Sequence, residues 1–139
     1  MLDGRSVSVG DRLPSLTVRF TRANLVRYAG ASTDFNPIHF SDHYAAKMGL
    51  PGVIAHGMLT MGTALRVVTQ WLGDPARVRS YFVRFTNPVL VPDDADGTEV
   101  TFGGVVEVVE DALVTIAIEA TSRGTKVLGA ARAVVDLAD

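Results

Sequence analysis

Between His56 and Leu72 the chain carries a helical stretch that is apolar on most of its sides, and this segment constrains the fold more than any other. Met58, Leu59, Met61, Leu65, Val67, Val68, Trp71 and Leu72 do not gather onto one narrow stripe. A helix of that kind belongs in a core, not on a surface. At 1.5 Å per residue it runs about 25 Å. Gly62 and Ala64 are small enough to let other backbone approach, and Gly73-Asp74-Pro75 stops the helix.

What surrounds the helix is also legible. After Pro75 the hydrophobic period changes from helical to two. Tyr81-Val83-Phe85 alternates with Phe82-Arg84-Thr86, and Glu99 to Phe102 alternates before Gly103-Gly104, where a bulge is expected. Val114, Ile116, Ile118 and Ala120 face away from Thr115, Ala117, Glu119 and Thr121. A last strand from Val127 to Leu137 has Arg132 and Asp136 on its outer face. Glu110-Asp111 and Arg123-Gly124 suit tight hairpin turns. Upstream, Ser15 to Phe20 reads as a strand, and Thr21 as the N-cap of a helix through Tyr28 and Ala29. Ser41 caps a short helix that ends at Gly49 and Pro51. A long buried helix followed by an antiparallel meander is an α+β layer architecture, and one helix wrapped by a curved sheet is the hot-dog arrangement.

The chain has 139 residues, of which 47% are hydrophobic and 20% charged, and it has no cysteine. One domain spanning residues 1–139 is expected at this length, and a chain of this size folds without a metal or disulfide staple. Absence of cysteine removes thiol nucleophiles and cysteine zinc sites. A net charge of −2 with no basic stripe argues against nucleic acid as a partner; Arg77, Arg79 and Arg84 read as a solvated strand edge. No run approaches the roughly 18 apolar residues of a membrane span. Residues 1–5 open with an acid and lack an apolar stretch, so they do not read as a secretory signal, and the cytoplasm is the expected location.

Three histidines occur, at positions 39, 43 and 56. Asp34 and His39 bracket Phe35-Asn36-Pro37-Ile38, and the rigid Asn36-Pro37 turn can bring both side chains to one cavity. A carboxylate beside an imidazole is a usable acid/base pair. In isolation, such an Asp is more often a turn former and such a His structural. At the start of the long helix, His56-Gly57 offers a backbone N–H with no intrahelical partner at the positive end of the helix dipole, suited to a developing oxyanion. The plainer alternative is that Gly57 allows close packing and His56 caps the helix. His39 and His43 are four apart, as in helical zinc sites, yet His39 precedes the helix and no Glu follows it, so no metal is expected. No phosphate-cradling Gly-rich loop and no Gly-x-Ser-x-Gly elbow is present.

Together these segments resemble a known family. Tyr28-Ala29-Gly30-Ala31-Ser32-Thr33-Asp34-Phe35-Asn36-Pro37-Ile38-His39 is similar to the hydratase motif of the MaoC-like dehydratases, the (R)-specific enoyl-CoA hydratases. Ile54-Ala55-His56-Gly57-Met58 and Val83-Arg84-Phe85-Thr86-Asn87-Pro88-Val89 resemble two further signatures in the same order. Gly73-Asp74-Pro75 and Val91-Pro92-Asp93-Asp94 add a similarity to the catalytic B-type subunits of actinobacterial (3R)-hydroxyacyl-ACP dehydratases. The resemblance implies a hot-dog fold and reversible syn hydration of a trans-2-enoyl thioester, carried by CoA or acyl carrier protein, to the (3R)-3-hydroxyacyl thioester, with no cofactor. It implies that Asp34 and His39 bind the catalytic water, His39 activating it and Asp34 protonating C2. Asn36 orients the loop, His56 supports the site, the Gly57 N–H holds the thioester carbonyl, and Ile54 and Met58 contact substrate. It also implies a homodimer, or a heterodimer with a second hot-dog subunit. Two other activities suit the same fold: thioester hydrolysis with Asp34 activating water toward the carbonyl, and acyl-thioester binding without catalysis.

The family places Gly before the catalytic Asp, where this chain has Thr33. If that position requires positive φ, a β-branched residue there is strained. Ser41 also stands where close relatives carry an acid, with Asp42 beside it.

Overall fold

A computed structural model describes residues 6–138; the N-terminal segment read above as lacking a secretory signal lies outside them. The strands are β1 (Arg12–Phe20), β2 (Val78–Phe85), β3 (Thr98–Glu110), β4 (Leu113–Ser122), the two-residue β5 (Thr125–Lys126) and β6 (Leu128–Asp136). The helices are α1 (Arg22–Ser32), α2 (Asp42–Lys47) and α3 (Gly57–Leu72), with short 3-10 turns at Pro37–His39 and Pro75–Arg77. The strands form one antiparallel sheet in the order β1-β3-β4-β6-β2, with β5 pairing β4. Helix α3 touches β1, β3, β4, β6 and β2, so it lies across the whole curled face. This is the hot-dog fold.

The expected helix survives to within a residue, ending on Gly73 in the left-handed conformation at φ 75. Thr60, Thr63, Ala64, Val67, Val68 and Leu72 are buried against the sheet, where Phe102, Val106, Ile116, Ala133 and Val135 meet them. Each fully buried Val or Leu contributes roughly 1.5–3 kcal/mol. The helix is not enclosed all round, however. Met58, Gly62, Arg66 and Gln70, spaced by four, form an exposed stripe. Two of those four positions are polar, which is why that side can face water.

The bulge expected at Gly103-Gly104 is present on one side of β3, where Pro14 and Ser15 of β1 stand opposite Gly103, and absent on the other. Pairing of β3 with β4 is continuous through both glycines and slips between Val106 and Val108. On the other side, the slip falls in β1, between Leu13 and Leu16. Gly104 also serves close approach: a Cβ there would lie 3.2 Å from Ile116, 3.3 Å from Leu13 and 3.4 Å from Val67. The first hairpin turn also moves by one residue. Glu110 pairs Leu113, so Asp111-Ala112 make the turn, with Asp111 at φ 55. Arg123-Gly124 form the second turn, both at positive φ as a type I′ hairpin requires.

The caps follow local chemistry. Thr21 and Asn24 form a reciprocal capping box on α1, and Ser41 Oγ accepts from the Tyr44 N–H on α2. Asp42 pairs with Arg22 at 2.7 Å, and Arg22 donates to the Val91 carbonyl, so the pair ties α2 to α1. The Arg22 hydrogen bond holds the Asp42 carboxyl below its ordinary value. The arginines read as a solvated edge are partly committed: Arg79 pairs with Asp136 at 2.9 Å, and Arg77 donates to the Ala138 carbonyl. No described helix is long and apolar enough to cross a membrane, which leaves strand-built membrane proteins unaddressed.

Candidate active site

The loop between α1 and α2 turns on Thr33, which caps α1 at φ 61 and ψ 15, the left-handed region. The condition posed by the sequence is therefore met: the position does require positive φ. A non-glycine residue there costs roughly 1–2 kcal/mol, and the strain sits one residue from Asp34. Two side-chain turns then roll the chain. Asp34 Oδ1 accepts from the Asn36 N–H at 3.2 Å, and Asn36 Oδ1 accepts from the Ile38 N–H at 3.2 Å, capping the 3-10 turn that carries His39. The outcome is that Asp34 Oδ2 faces His39 Nε2 at 3.8 Å. The Asp34 side chain is 51% exposed and that of His39 only 8%.

The tautomer of His39 follows from its other nitrogen. Nδ1 lies 2.7 Å from the Ile54 carbonyl, which can only accept, so Nδ1 carries the hydrogen and Nε2 presents its lone pair toward Asp34. Ile54 is itself fixed. Its N–H donates to Ile38, and its neighbours bond Val89 and Val91 across a short antiparallel bridge.

His56 occupies the N-cap position of α3 but makes no side-chain cap bond, so capping does not account for it. Its Nε2–H donates to the Asp34 carbonyl at 3.2 Å, and its ring stacks on His39 with centroids 3.8 Å apart at 23°. Tyr28 meets it edge-on at 4.7 Å. Burial makes His56 harder to protonate than an ordinary histidine; the hydrogen bond to Asp34 opposes this and the neighbouring His39 adds to it.

Gly57 is the first residue of α3, so its N–H has no intrahelical partner. It lines a cavity of about 380 Å³ together with His39, Ile54, Ala55, Thr60, Phe85, Asn87 and Val89. Asp34 does not line it and is linked to it through His39, 3.8 Å away. Met58, expected at substrate, is 59% exposed on the outer stripe of α3 and does not line this cavity.

Two wall residues escaped the sequence reading. Phe85 lies where a Gly57 side chain would go, its ring 3.1 Å from the position of a Cβ. Asn87 Nδ2 donates to the Lys126 carbonyl at 2.8 Å, pinning the opposite wall. Both lie in the Val83-to-Val89 segment that resembles a family signature, but nothing local signals what Asn87 fastens to.

Donor atoms of Asp34, His39 and His56 lie within 4.8 Å of one another, a cluster that could hold a metal ion, and exposed His43 is not part of it. The arrangement suits a metal poorly. His39 Nδ1 and His56 Nε2 are spent on carbonyls, and stacked rings aim their remaining in-plane lone pairs side by side instead of at one point. The geometry suits proton transfer beside an apolar cavity.

Comparison with known proteins shows the family. The family described as MaoC like domain matches residues 8–123. The 3-hydroxyacyl-thioester dehydratase X of Mycobacterium tuberculosis is 42% identical over 82 residues, covering 59% of this chain and 28% of that protein. Among solved structures, a MaoC-like dehydratase superposes with a TM-score of 0.91 at 40% identity, over 95% of this chain and 41% of the other. The (R)-hydratase of A. caviae involved in PHA biosynthesis gives a TM-score of 0.83 at 27% identity, over 97% of this chain and 100% of the other. The chain thus spans under a third of the first relative's length and under half of the first structure's.

Proposed function

This chain belongs to the MaoC-like domain family, and from that premise we propose that it catalyses reversible syn hydration of a trans-2-enoyl thioester to the (3R)-3-hydroxyacyl thioester. The observation that carries the reading is the Asp34–His39 pair, 3.8 Å apart beside a cavity that Gly57 opens at the start of α3. That separation is too long for a direct hydrogen bond and leaves room for a water held by both groups.

The pair works with one exchangeable proton, held on Asp34 Oδ2 or His39 Nε2. In hydration, Nε2 takes a proton from water as the water oxygen bonds to C3. The Asp34 carboxyl gives its proton to C2, and the proton on Nε2 returns to the Asp34 carboxylate, restoring the start. Both additions come from the same side of the substrate because the two groups are adjacent, 3.8 Å apart, which makes the addition syn. The Gly57 N–H receives the thioester oxygen as negative charge develops there. Asn36 keeps the loop rolled, and Ile38, Ile54, Ala55 and Val89 supply apolar wall for the acyl chain.

The substrate is a phosphopantetheine thioester, of CoA or of acyl carrier protein, and a cytoplasmic setting goes with that class. The proposed unit is the single domain of residues 1–139 paired with a second hot-dog subunit, identical or different. Support for pairing comes from β2, an outer strand of the sheet on which Phe82 and Phe85 are exposed, with Met58 exposed on α3. Native mass measurement checks it.

The test is water addition to crotonyl-CoA and longer enoyl-CoA thioesters, followed by loss of enoyl absorbance. Wild type is expected to turn over, with Asp34→Asn and His39→Ala each slower by roughly 10²–10⁴-fold. Near-wild-type rates in both variants sink the reading. Release of free thiol instead would identify thioester hydrolysis, and tight binding without turnover a non-catalytic subunit.

A further inference from the structure

We propose that His56 is a positioning residue that holds both members of the acid/base pair from one buried ring, its Nε2–H on the main-chain carbonyl of Asp34 and its face on the imidazole of His39. This rests on the Asp34–His39 reading above and extends it to a residue that touches neither water nor substrate.

His56 is 1% exposed. An N-cap position favours Ser, Thr, Asp or Asn, and His56 makes no cap bond there. Its Nδ1 is buried with no hydrogen-bond partner among the described residues. Both features cost stability. A residue kept only for packing would be better served by Leu or Phe, and one kept only for capping by Ser. The ring does what none of these can: it offers a donor at one edge and a flat face at the same time.

Each contact has a consequence for the pair. The bond to the Asp34 carbonyl, 3.2 Å, fixes the main chain from which the carboxyl projects. The stack, 3.8 Å between centroids at 23°, fixes the plane of His39. The Nε2 lone pair lies in that plane, so the stack and the Ile54 carbonyl together keep it aimed at Asp34. The titratable groups facing His56 are Asp34 and His39 from the loop and Tyr28 from α1. A second proton, on Nδ1, would find no acceptor and would stand against the His39 ring. His56 therefore stays neutral while His39 cycles between neutral and protonated.

The test compares His56→Phe, which keeps a flat ring and loses the donor, with His56→Asn, which keeps a donor and loses the ring. Asp34→Asn and His39→Ala are assayed beside them with crotonyl-CoA, and melting temperature and native mass establish folding. Both His56 variants are expected to lose kcat by roughly 10²-fold, as displacement of reacting groups by an ångström does, with KM little changed. Wild-type kcat in both folded variants, or a loss carried by KM instead of kcat, overturns the proposal. Should neither variant fold, imidazole 15N NMR of the unaltered protein decides: His56 must be neutral at pH 7 with its single proton on Nε2, and a His56 with its proton on Nδ1 overturns it. Full rates in Asp34→Asn and His39→Ala would instead remove the acid/base reading itself, whatever the His56 variants do.

Discussion

The carbonyl of Ile54 lies 2.7 Å from Nδ1 of His39, and this one contact decides which nitrogen of the histidine can act as a base. Because a carbonyl only accepts, the lone pair is left on Nε2, on the side of Asp34. The contact joins the hydratase loop to the segment leading into α3. The site is thus assembled from two stretches that the sequence shows only as separate motifs.

Thr33→Gly is expected to stabilise the protein. Thr33 sits at φ 61, where a β-branched residue pays the left-handed penalty of about 1–2 kcal/mol, while glycine adds an entropic cost of about 0.5–1 kcal/mol. The net gain is roughly 0.5–1 kcal/mol, read as a raised urea midpoint. A lowered midpoint would mean that the Thr33 side chain makes a compensating contact.

The adjacent glycines of β3 should behave in opposite ways. A Cβ on Gly104 would press on Ile116, Leu13 and Val67 at 3.2–3.4 Å, whereas on Gly103 the nearest atom is Glu119 Oε2 at 3.8 Å. Gly104→Ala is expected to cost roughly 1–3 kcal/mol through overpacking, and Gly103→Ala to be neutral or mildly stabilising. Equal effects in chemical denaturation would contradict the close approach of α3 to the sheet.

Gly57→Ala leaves the backbone N–H in place but sets a methyl 3.1 Å from the Phe85 ring. The contact is with the Phe85 ring alone, which can give by a few tenths of an ångström, so folding should survive. The shifted ring alters the cavity beside the carbonyl site, and kcat/KM is expected to fall by roughly 10–10²-fold. The double variant Gly57→Ala/Phe85→Ala should recover part of the loss. Additive losses would show that Phe85 is not the cause.

His56 also predicts how stability depends on pH. Burial holds its protonation below the ordinary histidine value of 6.5, so below that value the unfolded chain binds more protons at this residue than the folded one. The stability it permits is full above pH 6.5 and declines as pH falls from there through the folded value. Urea midpoints of wild type should drop across that window more steeply than those of His56→Phe. Parallel curves would place the sensitivity elsewhere.

Much of the architecture was legible because the signals are local. Helix α3 shows in its apolar residues and in the Gly73-Asp74-Pro75 stop. The starts of α1 and α2 show in Thr21 and Ser41, each answered by a backbone N–H three residues on. Alternation from Val114 to Ala120 names the buried face of β4. Asp34, Asn36 and His39 were readable as a group, since the turns that roll them together span only two residues each.

Where signals depend on a partner, the sequence left part of the device unseen. The bulge at Gly103-Gly104 was legible, but that its extra residue lies in β1, and that Gly104 admits Val67 from α3 and Leu13 from β1, needed the neighbouring segments. Exposure of Met58 depended on which side of α3 met the sheet. The stack of His56 on His39 and the seat of Phe85 over Gly57 had no signal at all. Caps, turns and periodicity are settled by residues within about four positions of one another, so the elements and the loop that holds Asp34 and His39 can be read from the chain alone. Strand order, the tautomer of His39 and the ring behind it depend on distant segments brought together by burial of a shared core, and no local signal records them.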